Sequence, residues 1–158
     1  MLKMIPKRFS WTFSVLDGSE PVAHAVDLSW WSDKGELTVQ GVTYTARREG
    51  VMSGAFVLES TAGVVARATK PSSLRRLLIV EHSGRQYTLR ATSALRREFI
   101  LLDGSTRIGS LSPEGIFTRR ADVDLPSALP LTVRVFIIWL TVMLWKHDEA
   151  AAGAAAVG

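Results

Sequence analysis

The sequence predicts a mainly β fold: a closed antiparallel barrel of about twelve strands, with a hydrophobic C-terminal helix (131–147) buried through its centre. Three observations predict it. Short β-rich runs broken by glycine-bearing turns fill residues 9 to 121. A unit of about four strands recurs three times. The chain then turns into an apolar run, "LTVRVFIIWLTVMLW" (131–145), that does not alternate.

The strands come first. "FSWTFSVL" (9–16) alternates Phe9, Trp11, Phe13 and Val15 with Ser10, Thr12 and Ser14. Period two marks a half-buried strand. Further candidates are 21–31, 36–40, 42–48, 55–60, 63–69, 74–81, 86–91, 98–102, 106–111 and 115–120. Asp17-Gly18, Asp33-Lys34-Gly35, Ser83-Gly84, Asp103-Gly104 and Pro113-Glu114-Gly115 separate them. Gly-bearing tight turns between such runs are strong hairpin signals.

The repeat follows from matching segments. "SVLDG" (14–18), "FVLES" (56–60) and "ILLDG" (100–104) correspond, marked by Leu16, Leu58 and Leu102. "GVTYTAR" (41–47) matches "GRQYTLR" (84–90), with "EGIFTRR" (114–120) a weaker copy. Three copies of a four-strand unit amount to eleven or twelve strands.

The apolar run is too short to be an easy membrane span. Fifteen residues, Leu131 to Trp145, cover about 23 Å at ~1.5 Å per residue, against ~30 Å of hydrocarbon. Arg134 lies near its start. Trp139, Trp145 and Lys146 form the one interfacial pattern that favours an anchor. A helix apolar on every face needs walls on every side. A barrel of a dozen strands supplies them, because barrel interiors widen with strand number. A β-trefoil plus C-terminal helix is the alternative architecture, since it also has three repeats and twelve strands.

One domain is expected from 158 residues. Residues 1–8 read as an N-terminal leader, 9–147 as the barrel with its helix, and 148–158 as a disordered Ala/Gly tail. Lys3, Lys7 and Arg8, with "AHA" at 23–25, outline a signal peptide superficially. The alternation, Asp17 and Glu20 argue against it. The chain has no cysteine, which excludes disulfides and thiol chemistry. The net charge is +4, a mild lean toward anionic partners.

Catalytic signatures are not found. His24, His82 and His147 are far apart, and no HExxH, Gly-x-Ser-x-Gly, P-loop or dinucleotide pattern occurs. Glu81-His82-Ser83 reads as a solvated turn. Asp122 and Asp124 lack the remaining spacing of a metal site. They are expected ahead of the helix, facing its dipole. No enzyme, cofactor or small-molecule substrate is expected, and nucleic acid is disfavoured. Four arginine pairs remain, at 47–48, 75–76, 96–97 and 119–120. Lys70, Arg75, Arg76, Arg96 and Arg97 are the candidate contacts for an anionic headgroup, centred on "KPSSLRR" (70–76).

"FSVLDGSEPV", "FVLESTAGVVARAT", "GRQYTLR", "REFILLDGSTRIGSL" and "LPLTVRVFIIWLTVMLW" together resemble the tubby-like superfamily. The nearest members are LURP-one-related and bacterial tubby C-terminal-like proteins. The likeness covers residues 9–147 as a pattern. It implies a barrel of about twelve strands threaded by a hydrophobic C-terminal helix. It also implies a non-enzymatic binding module or scaffold at the cytoplasmic membrane face, with anionic phospholipid or a protein as partner. The alternative is a tail-anchored membrane protein that displays a β domain; a sugar-binding trefoil ranks below it.

Overall fold

The computed structural model describes residues 1–29, 32–50, 54–71, 76–93, 96–116 and 118–157. Its elements run β1 (Leu2–Pro6), β2 (Phe13–Asp17), β3 (Glu20–Asp27), β4 (Lys34–Val39), β5 (Val42–Arg48) and β6 (Ala55–Ser60). They continue β7 (Gly63–Thr69), β8 (Leu77–His82), β9 (Arg85–Ala91), β10 (Phe99–Asp103), β11 (Thr106–Pro113), β12 (Ala121–Asp124) and α1 (Leu131–Val157). Every strand pairs antiparallel with its neighbours in sequence, and β1 pairs with β12. The barrel therefore closes without a free edge, which removes the usual site of strand addition.

The mainly β class, the closed twelve-strand antiparallel barrel and the C-terminal helix are as the sequence predicts. The trefoil is not formed, because all twelve strands belong to one barrel wall. Several boundaries differ. Residues 1–8, read as a leader, contain β1, whose Leu2 and Met4 are buried and whose pairing closes the barrel. Two inward residues are too few to display a period. The first predicted strand starts late, at Phe13, and Phe9 lies in the preceding loop with φ +56°. No strand forms among the described residues of 115–120; β12 follows at Ala121–Asp124. Asp122 and Asp124 thus sit in a strand, not at the helix start. The tail read as disordered continues α1 to Val157, consistent with alanine's high helix propensity.

Three hairpins share one irregularity. The register shifts by a residue after Val15 in β2, after Leu58 in β6 and after Leu101 in β10. These positions are spaced by 43 residues each time. The residues that follow the three shifts are Leu16, Glu59 and Leu102. The same spacing places Phe13, Phe56 and Phe99 in the core, all buried. It also relates the turns Gln40-Gly41 and Ser83-Gly84, which have positive φ throughout. Both central residues of such a two-residue hairpin turn must adopt that conformation to match strand twist.

The strands bury small residues where the helix buries large ones. Ala23, Ala25, Ala46, Ala66, Ala68 and Ala121 are buried in one cluster with Phe136, Ile137, Trp139 and Trp145. At Gly35 a Cβ would stand 2.5 Å from Trp139 Nε1, so only glycine admits the indole. Val135 to Trp145 are all buried, eleven consecutive residues. At 3.6 residues per turn that is three turns with no exposed face. The hydroxyl of Thr141, also buried, donates to the Ile137 carbonyl at 3.0 Å and leaves nothing unsatisfied. Arg134 avoids the core: it is half-buried and its Nε donates to the Leu129 carbonyl.

Candidate functional site

The two ends of the barrel differ in construction. One end carries tight turns such as Gly18-Ser19, Gln40-Gly41 and Ser83-Gly84, and α1 begins there. The other carries the longer connections between β1 and β2, β3 and β4, β5 and β6, β7 and β8, β9 and β10, and β11 and β12. The last buried turn of α1 reaches this loop end.

Four consecutive residues after Trp145 each meet the rim. Lys146 Nζ pairs with Asp27 at 3.2 Å, and His147 Nε2 donates to Asp33 at 2.7 Å. Asp148 accepts from Arg76 at 2.7 Å, and Glu149 accepts from Arg119 at 3.1 Å. Asp33 also pairs with Arg48 at 2.9 Å. Burial works to raise the Asp33 carboxyl pKa. The His147 hydrogen bond, with the nearby charges of His147, Arg48 and Lys146, outweighs it and holds the carboxyl below its ordinary value. A 20 Å³ cavity lies beside this cluster, lined by Asp27, Asp33, Trp139 and Lys146, and is large enough for one water.

The predicted arginines divide. Arg75 lies outside the described residues. Arg76 and Arg96 come together: Arg76 Nη1 donates to the carbonyls of Ser93 and Arg96 at 3.2 and 3.0 Å. Arg97 is beside them, its guanidinium 4.8 Å from the Trp145 ring centroid and its Nη1 bonded to the Thr118 carbonyl. Trp145 Nε1 in turn donates to the Arg97 carbonyl at 3.0 Å. Lys70 lies at the end of β7, its backbone N–H donating to the Gly54 carbonyl at 2.7 Å. Arg96 is exposed, and borders a cleft of about 450 Å³ lined also by Arg97, Ser112 and Ile116.

Two residues of this end were misread or passed over in the sequence. Phe9 is 93% exposed and Ile116 is 83% exposed. Phe9 follows Lys7 and Arg8, both exposed, and Ile116 shares its loop with exposed Arg120. The two loops are joined: Arg119 Nη1 donates to the Ser10 carbonyl at 3.1 Å, and its guanidinium lies 4.0 Å from the Trp11 ring centroid. Alternation made Phe9 look inward-facing. Its exposure follows from the positive φ that takes it out of the strand.

The turn end holds the Glu81-His82-Ser83 segment. His82 Nδ1 donates to the Val65 carbonyl at 3.1 Å, and Ser83 Oγ and His82 Nε2 are hydrogen-bonded at 3.3 Å. An open cleft of about 610 Å³ adjoins it, lined by Arg85, Tyr87, Asp103 and Leu129. Arg85 is taken up by Asp103 at 2.8 Å. Among the described residues, no three His, Asp or Glu side chains are grouped to hold a metal ion. Among them also, no helix is long and apolar enough to cross a membrane. No protein family model, curated protein or solved structure matches this chain.

Proposed function

We propose that this chain is a non-enzymatic binding module of the tubby-like, LURP-one-related kind, built from three four-strand units around a central helix. Its loop end contacts anionic phospholipid at the cytoplasmic face of a membrane. The helix is the plug of the barrel. Its burial on every side over three turns supports that reading, as does the fan of rim contacts from residues 146–149. Successive helical residues point about 100° apart, and these four meet three connections, β3–β4, β7–β8 and β11–β12, as expected where rim surrounds the helix. The equal spacing of the three register shifts supports the repeat.

One observation carries the membrane reading: Phe9 and Ile116, nearly fully exposed, stand on adjoining loops with Lys7, Arg8 and Arg120. Apolar tips set among basic residues suit a lipid surface, where each basic residue contributes about 1 kcal/mol and the tips enter the headgroup layer. The tail-anchor alternative would need the most buried segment of the protein to leave its barrel.

Vesicle co-sedimentation tests this. The full chain is expected to pellet with phosphatidylcholine vesicles containing phosphatidylserine, and not with phosphatidylcholine alone. Phe9→Ser with Ile116→Ser is expected to weaken that binding at least ten-fold while leaving the thermal transition unchanged. Equal binding by the double variant, or none by the parent chain, would refute the reading.

A further inference from the structure

The 43-residue spacing that relates the register shifts also relates Asp33, Arg76 and Arg119, one position on the rim seen three times. These three residues grip three consecutive helix residues: Asp33 holds His147, Arg76 holds Asp148 and Arg119 holds Glu149. Steps of about 100° along a helix nearly match the 120° of a three-fold ring. The charges are complementary at each position. The ring is acidic where the helix is basic, and basic where it is acidic.

The basic two-thirds of the ring, with Arg97 beside it, is built as an anion site. Arg76, Arg97 and Arg119 each lie over an aromatic ring, those of Phe99, Trp145 and Trp11, at 5.2, 4.8 and 4.0 Å. Each also donates to a backbone carbonyl, which fixes the plane of its fork. Such fixed guanidinium groups suit bidentate capture of oxyanions. Carboxylates fill the site incompletely. Arg97 Nη2 is buried and hydrogen-bonded to no protein atom, 3.6 Å from Glu149 Oε1. The carboxylates themselves are accessible, with side chains 48% and 43% exposed.

We propose that Arg76, Arg97 and Arg119 form a binding site for phosphate-ester oxyanions at the barrel mouth, occupied in cis by Asp148 and Glu149. A phosphate group displaces the two carboxylates, supplies the extra acceptor that Arg97 lacks, and releases the exposed helical segment beyond Glu149 from the rim. The membrane reading enters only as one source of the phosphate; a soluble phosphate compound would use the same arginines.

Inorganic tripolyphosphate and vesicles containing phosphatidic acid separate these sources. By titration calorimetry, Asp148→Asn with Glu149→Gln is expected to bind tripolyphosphate about ten-fold tighter than the parent chain, two exposed ion pairs having been removed. Adding Arg97→Gln and Arg119→Gln is expected to abolish the gain. Asp148→Asn alone, a milder change, is expected to show part of it and guards against loss of the fold. Unchanged tripolyphosphate affinity in both carboxylate variants overturns the site, as does a gain that survives loss of the arginines. Vesicle binding reads the source. Tighter binding of both probes by the double variant supports the site with lipid as source. A gain for tripolyphosphate without one for vesicles supports the site with a soluble phosphate compound as source.

Discussion

Asp33 shows how one residue ties the rim to the helix. It accepts from His147 and Arg48 while largely buried, and its carboxyl is held below the ordinary value. A depressed carboxyl pKa contributes stability that is present above the unfolded-state value, near 4, and is lost as pH falls through the folded value. Acid titration of thermal stability is therefore expected to show a loss beginning near pH 4. Asp33→Asn is expected to flatten that limb and to cost about 2 kcal/mol at neutral pH, in the range for hydrogen bonds to charged groups. A variant with the parent's acid profile would place the limb elsewhere. Asp33 was visible in the sequence only as a turn residue, because its partners lie 114 residues away at His147 and 15 away at Arg48. The same holds for Arg119, whose pairing in "FTRR" says nothing of Glu149 or Trp11.

At the scale of elements, α1 is the organiser. Its central residues Phe136, Ile137 and Ile138 are buried, and Ala, Gly and Val positions of the strands leave them room. Among the described residues Thr141 is the one buried polar side chain, so a charge placed there meets no carboxylate or guanidinium in the core. Ile138→Asp is expected to unfold the whole barrel, seen as loss of the cooperative thermal transition, since an unpaired buried charge exceeds about 4 kcal/mol. A folded, soluble β domain in that variant would mean that the strands stand without the helix. Most strands were readable, because alternation and glycine turns are local signals. β1 and β12 were not. Each offers only two buried positions, Leu2 and Met4 or Ala121 and Val123, and each exists by pairing with the other across the whole chain.

The whole molecule is polar in charge. The loop end carries exposed Lys7, Arg8, Arg96 and Arg120, whereas at the turn end Asp17, Glu20, Glu81, Asp103 and Asp124 outnumber Arg85 and Arg107. A net charge of +4 distributed in this way would orient the barrel at an anionic surface, loop end first. Binding to phosphatidylserine vesicles is accordingly expected to fall steeply between about 50 and 300 mM salt, as the Debye length shrinks. Salt-independent binding would assign the attachment to Phe9 and Ile116 alone. The stretch "KPSSLRR" begins and ends at the loop end of the barrel, with Lys70 and Arg76. It did not reveal that Arg76 faces a carboxylate of the helix, since that pairing exists only once α1 has reached the rim.

What this sequence determined by itself was what local chemistry can encode. Alternation produced the strands, glycine the turns, and the length of an uninterrupted apolar run made a helix fit for burial. The recurrence of Leu16, Leu58 and Leu102, spaced by 42 and then 44 residues, predicted that the strands form equivalent groups. Tertiary structure alone decided which strand closes the barrel, which alternating residue points outward, and which arginines are occupied. Those outcomes rest on pairings between distant parts of the chain. The free energy of such a pairing belongs to two surfaces brought together, and neither segment carries it alone.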